Sequence, residues 1–98
     1  MGQPVIRLCI VEDDEPLRQK IGRLLNKTPD IRIVGSYASA EECMQNIRWD
    51  EVDVLLTDIE LPGTSGVDLI AFACMSNPVL FAMAFTVYED RETVFAAL

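Results

Sequence analysis

The sequence contains no histidine and few basic residues, and both shortages limit what the protein can do. Without histidine the chain cannot supply a Ser-His-Asp triad, a histidine metal site or a phosphohistidine. Lysine and arginine together number 8 against 16 acidic residues, which gives a net charge of −8 at pH 7. Because this charge would repel the phosphates of DNA or RNA, we expect no nucleic acid binding by this chain alone.

Cysteine is also scarce, and its spacing excludes two common structural roles. Cys9, Cys43 and Cys74 are far apart, odd in number and without a CxxC pair. This pattern argues against a disulfide framework or a zinc site. We expect the three thiols to be buried and reduced and to serve as small hydrophobic side chains, in agreement with a cytoplasmic location.

One long stretch, residues 69–88, has no charged side chain. A helix of about 20 apolar residues would be long enough to cross a bilayer. Ser76-Asn77-Pro78 interrupts the stretch in its middle, however, where a helix is expected to stop. We therefore expect a buried helix followed by a buried strand, and no membrane association.

Strand and helix patterns alternate along the chain. Pro16 suits the first turn of a helix capped by Asp14 or Glu15, and Ser39 with Glu42 forms a capping-box pattern. The predicted strands are 5–11, 31–37, 52–57 and 79–85, and the predicted helices are 16–26, 39–48, 66–75 and 90–98. This order predicts an α/β protein with a doubly wound parallel sheet and helices on both faces.

Acidic residues follow two of the predicted strands. Asp58 closes one apolar run just before a Pro/Gly loop, and Glu12 and Asp13 follow the first strand. Right-handed crossovers bring the carboxyl ends of parallel strands to one edge, so these carboxylates should meet there with Thr86, which follows the fourth strand. Clustered carboxylates repel one another unless they take up protons or bind a divalent cation.

The expected cation is Mg²⁺, with Asp58 as a nucleophile or phosphate acceptor. Asp13 is the best direct ligand, while Glu12 is expected to act through water. The backbone carbonyl of Glu60 can supply a further oxygen, and the hydroxyl of Thr86 can reach a phosphoryl oxygen. Such a site would work mainly by positioning and electrostatics.

Segments 10–18, 56–66 and 85–90 resemble, in order and spacing, the three signature blocks of a response-regulator receiver domain. The resemblance implies a flavodoxin-like fold with strand order 2-1-3-4 and Mg²⁺ as cofactor. It also implies that a sensor histidine kinase is the phosphodonor. By the same resemblance, Asp58 is the phosphoacceptor, Glu12 and Asp13 are the acidic metal pair, and Thr86 is the switch hydroxyl.

Two departures from the family pattern accompany this resemblance. The sequence stops at Leu98, inside the expected fourth helix, so the family's fifth strand, with its lysine and switch aromatic, and its fifth helix have no counterpart. The expectation is therefore one C-terminally incomplete receiver domain, 1–98, without an output domain and with weakened phosphorylation. Strand 79–85 would then be an apolar edge open to pairing in a homodimer. The third helix is apolar all round, so it should be buried or sticky.

Three functions follow as hypotheses. The first is a signalling switch rather than a turnover enzyme; residues 86–94 are similar to receivers with a LuxR-type helix-turn-helix output domain, which implies transcription regulation. The second is a remnant that acts only as a binding or dimerisation module. The third is a haloacid-dehalogenase-like phosphohydrolase, although that chemistry wants a second aspartate where this chain has Glu60.

Overall fold

The computed structural model describes residues 4–86, and the helix expected from Asp90 lies outside them. The elements, in chain order, are β1 (Ile6–Val11), α1 (Glu15–Asn26), β2 (Ile31–Tyr37), α2 (Ala40–Asn46), a 3₁₀ turn (Trp49–Glu51), β3 (Val54–Asp58), α3 (Gly66–Ser76) and β4 (Phe81–Phe85). The four strands and three helices predicted for this part of the chain are all present.

The strands form one parallel sheet in the order β2-β1-β3-β4, which confirms the predicted topology. In this register Val11 pairs with Thr57, and Asp58 pairs with Phe85. The carboxyl ends of β1, β3 and β4 therefore lie at the same edge of the sheet. This alignment is what brings side chains from separate strands into one site.

Each helix begins at a side-chain cap. Asp14 accepts a hydrogen bond from the backbone N–H of Leu17 at 3.3 Å, and Ser39 accepts one from Glu42 at 3.1 Å. The cap at Ser39 was predicted, and Asp14 is the one of the two predicted alternatives, Asp14 and Glu15, that caps α1. Ser65 caps α3 in the same way, a role that the sequence analysis did not assign. The caps satisfy backbone donors that the first turn of a helix leaves unpaired.

Asn77 explains why β3 and β4 begin two residues later than predicted. Its side-chain amide donates to the carbonyl oxygens of Trp49 at 2.9 Å and Val52 at 3.1 Å. Its side-chain oxygen accepts from the N–H of Val79 at 3.3 Å. Because these groups bond to a side chain, the sheet ladder starts only beyond them, at Val54 and Phe81.

The main core lies between the sheet and the helices α2 and α3. Its fully buried members include residues of both central strands and of both helices: Cys9, Val11, Ala40, Cys43, Leu55, Leu69 and Ala73. On the opposite face, α1 packs against β2 and β1. Both faces of the sheet are thus covered by helices, as a doubly wound fold requires.

The cysteines depart in part from the sequence prediction. All three are free, and Cys9 and Cys43 are buried as expected. Cys74 is only half-buried, because it lies on the flank of α3 beside the core. The fold also brings Cys9 and Cys43, which are distant in sequence, to 3.7 Å between their sulfur atoms.

The third helix buries one side and exposes another that is also apolar. Leu69 and Ala73 are fully buried, whereas Phe72 is 45% and Met75 is 84% exposed. The sequence analysis expected this helix to be either buried or sticky. The structure shows both: one side is buried, and the other is an exposed apolar surface. Within residues 4–86, no helix is both long and apolar enough to cross a membrane.

Candidate metal centre at the carboxyl edge of the sheet

Three carboxylates converge at the carboxyl edge, as the sequence predicted. Glu12, Asp13 and Asp58 each place one carboxylate oxygen within 4.8 Å of the others. Glu12 directly follows β1, and Asp58 is the last residue of β3, so the pairing of the two strands sets them side by side. Glu12 is 1% exposed and Asp58 4% exposed, while Asp13 is open to solvent. The cluster therefore has a buried floor and one accessible ligand.

The backbone holds Asp58 in place on both sides. Its Oδ1 atom accepts a hydrogen bond from the N–H of Glu60 at 3.0 Å, and its carbonyl oxygen accepts one from the hydroxyl of Thr57 at 3.0 Å. The N–H of Ile59 donates to the carbonyl of Phe85 at 2.9 Å. The carboxylate is thus fixed at the point where the chain leaves the sheet.

Gly66 allows the start of α3 to pack directly on Asp58. A Cβ atom at position 66 would overlap the backbone carbonyl oxygen of Asp58 and approach Cα of Ile59 to 2.9 Å. The N–H of Gly66 also donates to the carbonyl of Ile59 at 2.9 Å. This glycine therefore does more than turn the chain, since no side chain fits at its position.

Glu12 is a buried carboxyl group with one oxygen that lacks a hydrogen-bond partner among the described residues. Its Oε2 atom accepts from the N–H of Asp14 at 3.2 Å, but its Oε1 atom is buried without a hydrogen-bond partner among the described residues. Burial raises the pKa of Glu12 to about 7, and the neighbouring carboxyl groups of Asp13 and Asp58 add to the rise. An unpartnered buried oxygen of this kind is costly unless a ligand satisfies it.

These residues fit a divalent cation with a preference for hard oxygen ligands. Carboxylate oxygens from three side chains, one of them without a partner, are the ligands that Mg²⁺ prefers. Within residues 4–86, no lysine or arginine forms an ion pair with the cluster. The cluster therefore fits a divalent cation and has no positively charged side chain paired with it among the described residues.

Arg18 is a basic residue that contacts the backbone of the cluster residue Glu12, and the sequence analysis assigned it no role. Its Nη1 atom donates to the backbone carbonyl of Glu12 at 2.8 Å rather than to a carboxylate. Arg18 lies on the first turn of α1, one helical turn after the cap residue Asp14, so it reaches back toward the end of β1. The position of Arg18, four residues after the cap residue, was the sequence feature that could have predicted this contact.

The remaining predicted residues lie at the same edge. Glu60 is exposed, and its N–H contacts Asp58, while the role of its carbonyl stays a prediction. Thr86 is half-buried and directly follows β4. The last residue of that strand, Phe85, pairs with Asp58. The structure thus brings all five predicted residues to one edge and joins three of them in the carboxylate cluster.

The loop after β3 also contacts α2. The N–H of Thr64 donates to Oε2 of Glu41 at 3.4 Å. The same carboxylate lies against Gly63, which has a positive φ of 78°. This backbone conformation favours glycine. The loop beside the cluster is therefore linked to the first turn of α2.

Residues 8–98 match the response regulator receiver domain family. Over 86 residues the chain is 31% identical to the response regulator GacA of Pseudomonas viridiflava, covering 88% of this chain and 40% of that protein. It is 30% identical over 94 residues to protein-glutamate methylesterase/protein-glutamine glutaminase 3 of Rhodopseudomonas palustris (strain BisB18), covering 96% of this chain. The chain spans only 26% of that second relative's length.

The fold also matches a solved receiver structure. The isolated REC domain of RcsB from Salmonella enterica serovar Typhimurium, solved in the presence of the phosphomimetic BeF3⁻, superposes with a TM-score of 0.76 at 21% identity. The match covers 95% of this chain and 70% of that chain. At this level of identity the likeness concerns the fold.

Proposed function

The chain belongs to the response regulator receiver domain family, and from this premise we propose that it is a phosphoacceptor switch. In this proposal Asp58 accepts a phosphoryl group from the phosphohistidine of a sensor histidine kinase, in a reaction that requires Mg²⁺. The observation that carries the proposal is the carboxylate cluster of Glu12, Asp13 and Asp58, with its unpartnered buried oxygen. These 98 residues contain no histidine, so the donor histidine would lie outside them.

The proposed transfer forms one bond and breaks one. A carboxylate oxygen of Asp58 attacks phosphorus, the P–N bond of the donor breaks, and an acyl phosphate and a free imidazole result. Glu12, Asp13 and Asp58, with the carbonyl of Glu60, would hold Mg²⁺. When bound, this ion offsets the negative charges of the carboxylates and of the phosphoryl oxygens.

The rest of the proposed mechanism is positioning. The N–H of Glu60 holds Oδ1 of Asp58, which orients the carboxylate for attack. Thr86, at the end of the neighbouring strand, is the proposed switch hydroxyl that meets the new phosphoryl group. A change at Thr86 would then alter the surface around the carboxyl edge, which is how phosphorylation would be signalled.

We further propose that residues 1–98 form one receiver domain that works as a cytoplasmic signalling switch rather than a turnover enzyme. The three free cysteines agree with a reducing compartment. Regulation of transcription and DNA binding would require a LuxR-type output domain, and a homodimer would form through the apolar strand β4. This chain spans only 26% of the length of the methylesterase named above, so that enzyme's activity is not part of the proposal.

The test is the mass of the intact protein after incubation with a small acyl-phosphate donor, with and without Mg²⁺. We expect a gain of one phosphoryl group that requires Mg²⁺ and is absent in Asp58→Asn. Asp50→Asn is the matched control, because Asp50 is an exposed carboxylate on the 3₁₀ turn, outside the cluster. This control should be phosphorylated like the unchanged protein.

Other outcomes separate the alternatives. A folded protein that gains no mass would contradict the switch and leave a binding or dimerisation module. Continuous release of phosphate from a phosphoester, with no stable adduct, would instead support the phosphohydrolase. Gain of mass in Asp58→Asn would place the acceptor on another residue.

A further inference from the structure

Two cysteines that the proposed switch does not use lie in contact inside the core. Cys9 on β1 and Cys43 on α2 are both 0% exposed, and their sulfur atoms are 3.7 Å apart. Neither thiol is oxidised in the structure. A disulfide bond is about 2.0 Å long, so the two sulfurs would have to approach by roughly 1.7 Å to join.

The backbone is built so that α2 lies close to β1 at this point. Cys9 pairs across the sheet with Gly35 of β2. A Cβ atom at Gly35 would lie 2.7 Å from the ring of Tyr37 and 2.8 Å from Cδ1 of Ile47, the residue that directly follows α2. Because glycine leaves this space to those side chains, the end of α2 packs closely against β2, the strand beside β1.

The pair also sits between the two parts of the molecule that flank the carboxylate cluster. Cys9 lies three residues before Glu12 on the same strand. Cys43 lies on the helix whose first turn contacts the loop after β3, through Glu41 and Thr64. A bond between the sulfurs would therefore tie α2 to the strand that ends in the cluster.

We propose that Cys9 and Cys43 form an oxidisable dithiol that a hydroperoxide converts into an intramolecular disulfide. In the first step one sulfur attacks the peroxide, the O–O bond breaks, and a sulfenic acid and water (or an alcohol) form. In the second step the other sulfur attacks the sulfenic sulfur, the S–O bond breaks, and a second water leaves. The two thiols thus lose two protons and two electrons, and the peroxide is reduced.

Burial makes this reaction slow in the closed protein. The hydrogen bond with Cys43, together with burial, raises the pKa of the Cys9 thiol above its usual range. The thiolate is the reactive species, so oxidation must wait for a local opening of the core. The helix α2 has only seven residues, a length that depends on packing for its stability. We expect α2 to open first and to admit the peroxide.

The experiment uses the whole chain carrying Cys74→Ser, which leaves only the buried pair. The folded protein is treated with hydrogen peroxide, denatured without reductant and alkylated with a maleimide before its intact mass is measured. We expect a mass lower by two hydrogen atoms and no maleimide addition. Treatment with a reductant should restore two maleimide additions. Peptide mapping of the unchanged chain should identify one cross-link, between Cys9 and Cys43.

The controls test the pair itself. In the double variant Cys9→Ala with Cys74→Ser, a single thiol remains, and no intramolecular cross-link can form. The rate of oxidation in the intact pair should rise in mild denaturant that leaves the circular dichroism spectrum unchanged. Two maleimide additions after peroxide treatment of the folded protein would overturn the proposal. So would oxygen adducts without a cross-link, or a cross-link between two molecules. None of these outcomes depends on phosphorylation of Asp58.

Discussion

Two aspartates at opposite ends of strand β3 differ in the groups that surround them. Asp53 lies just before β3, at the amino edge of the sheet, and Asp58 ends β3 at the carboxyl edge. Arg7 surrounds Asp53 with three hydrogen bonds, from its backbone N–H at 2.8 Å and from Nε and Nη2 at 3.1 Å each. Asp58 has instead two other carboxylates, Glu12 and Asp13, as neighbours.

The different surroundings shift the pKa values at the two edges in opposite directions. Hydrogen bonds from Arg7 lower the pKa of Asp53, so its charge is stabilised by the fold. At the carboxyl edge burial raises the pKa of Glu12 to about 7, so charge there is opposed by the fold. A protein that neutralises a carboxylate at one edge and leaves three at the other keeps the second edge for a ligand. This contrast favours the carboxyl edge as the candidate functional site without reference to any relative.

The largest expected effect tests how tightly the carboxyl edge is built. Gly66→Ala should lower the free energy of unfolding by about 3 kcal/mol, because the added Cβ overlaps the carbonyl of Asp58. The control is Gly22→Ala in α1, where a Cβ would lie 3.8 Å from Cδ1 of Ile33. This change should stabilise by up to about 1 kcal/mol, since alanine favours the helix. Urea unfolding of both variants measures the difference, and equal effects would contradict the packing at Gly66.

The next prediction concerns pH in the presence of a metal chelator. The pKa of Glu12 is raised from its ordinary value of 4.5 to about 7 in the folded protein. The contribution of Glu12 to the free energy of unfolding should therefore be greatest below about pH 4.5. It should fall as the pH rises to 7. The loss is at most about 3 kcal/mol, at 1.36 kcal/mol per pKa unit. Thermal unfolding of Glu12→Gln should show no such fall, and an unchanged pH profile would contradict the assignment to Glu12.

A smaller effect is expected from Mg²⁺. At pH 7.5 and a concentration of about ten times the dissociation constant, Mg²⁺ should stabilise the folded protein by about 1.4 kcal/mol. Asp13→Asn should lose most of this gain, because Asp13 is the accessible ligand of the cluster. Asp50→Asn should keep it. Thermal unfolding over a Mg²⁺ titration provides the measurement, and equal gains in both variants would move the site away from the cluster.

The fold and the position of the site could be predicted because both depend on element order. Apolar runs, helix-capping patterns and the acidic strand ends were sufficient to predict a parallel sheet and the edge where Asp58 lies, whereas the strand order came from the family resemblance. Boundaries near Asn77 could not be predicted, since its side chain bonds to carbonyls 25 and 28 residues away. Cys9 and Cys43 illustrate the same limit, because no local pattern reports a contact made by the packing of α2.

The role of Arg7, a charged residue within the otherwise apolar run 5–11, could not be predicted either. Its partner Asp53 is 46 positions away, so the pair exists only once β1 and β3 are neighbours. Side-chain exposures of 40% for Arg7 and 42% for Asp53 place the pair at the surface. Surface ion pairs contribute little to stability because water screens them. Substitutions at the amino edge are therefore expected to change the free energy of unfolding less than substitutions at the carboxyl edge.

The smallest prediction follows from that exposure. Asp53→Asn should lower the free energy of unfolding at pH 7 by no more than about 1 kcal/mol, and added salt should reduce the effect. The pKa of Asp53 is lowered, so its contribution is present above the ordinary value of 3.8 and is lost as pH falls through the lowered pKa. The two edges thus respond to pH in opposite directions: acid weakens the Arg7–Asp53 pair and relieves Glu12. Unfolding curves of Asp53→Asn and Glu12→Gln across pH 3 to 8, in chelator, separate the two. If both variants deviated from the unchanged protein in the same pH range, the two edges would share one electrostatic environment and the contrast between them would be wrong.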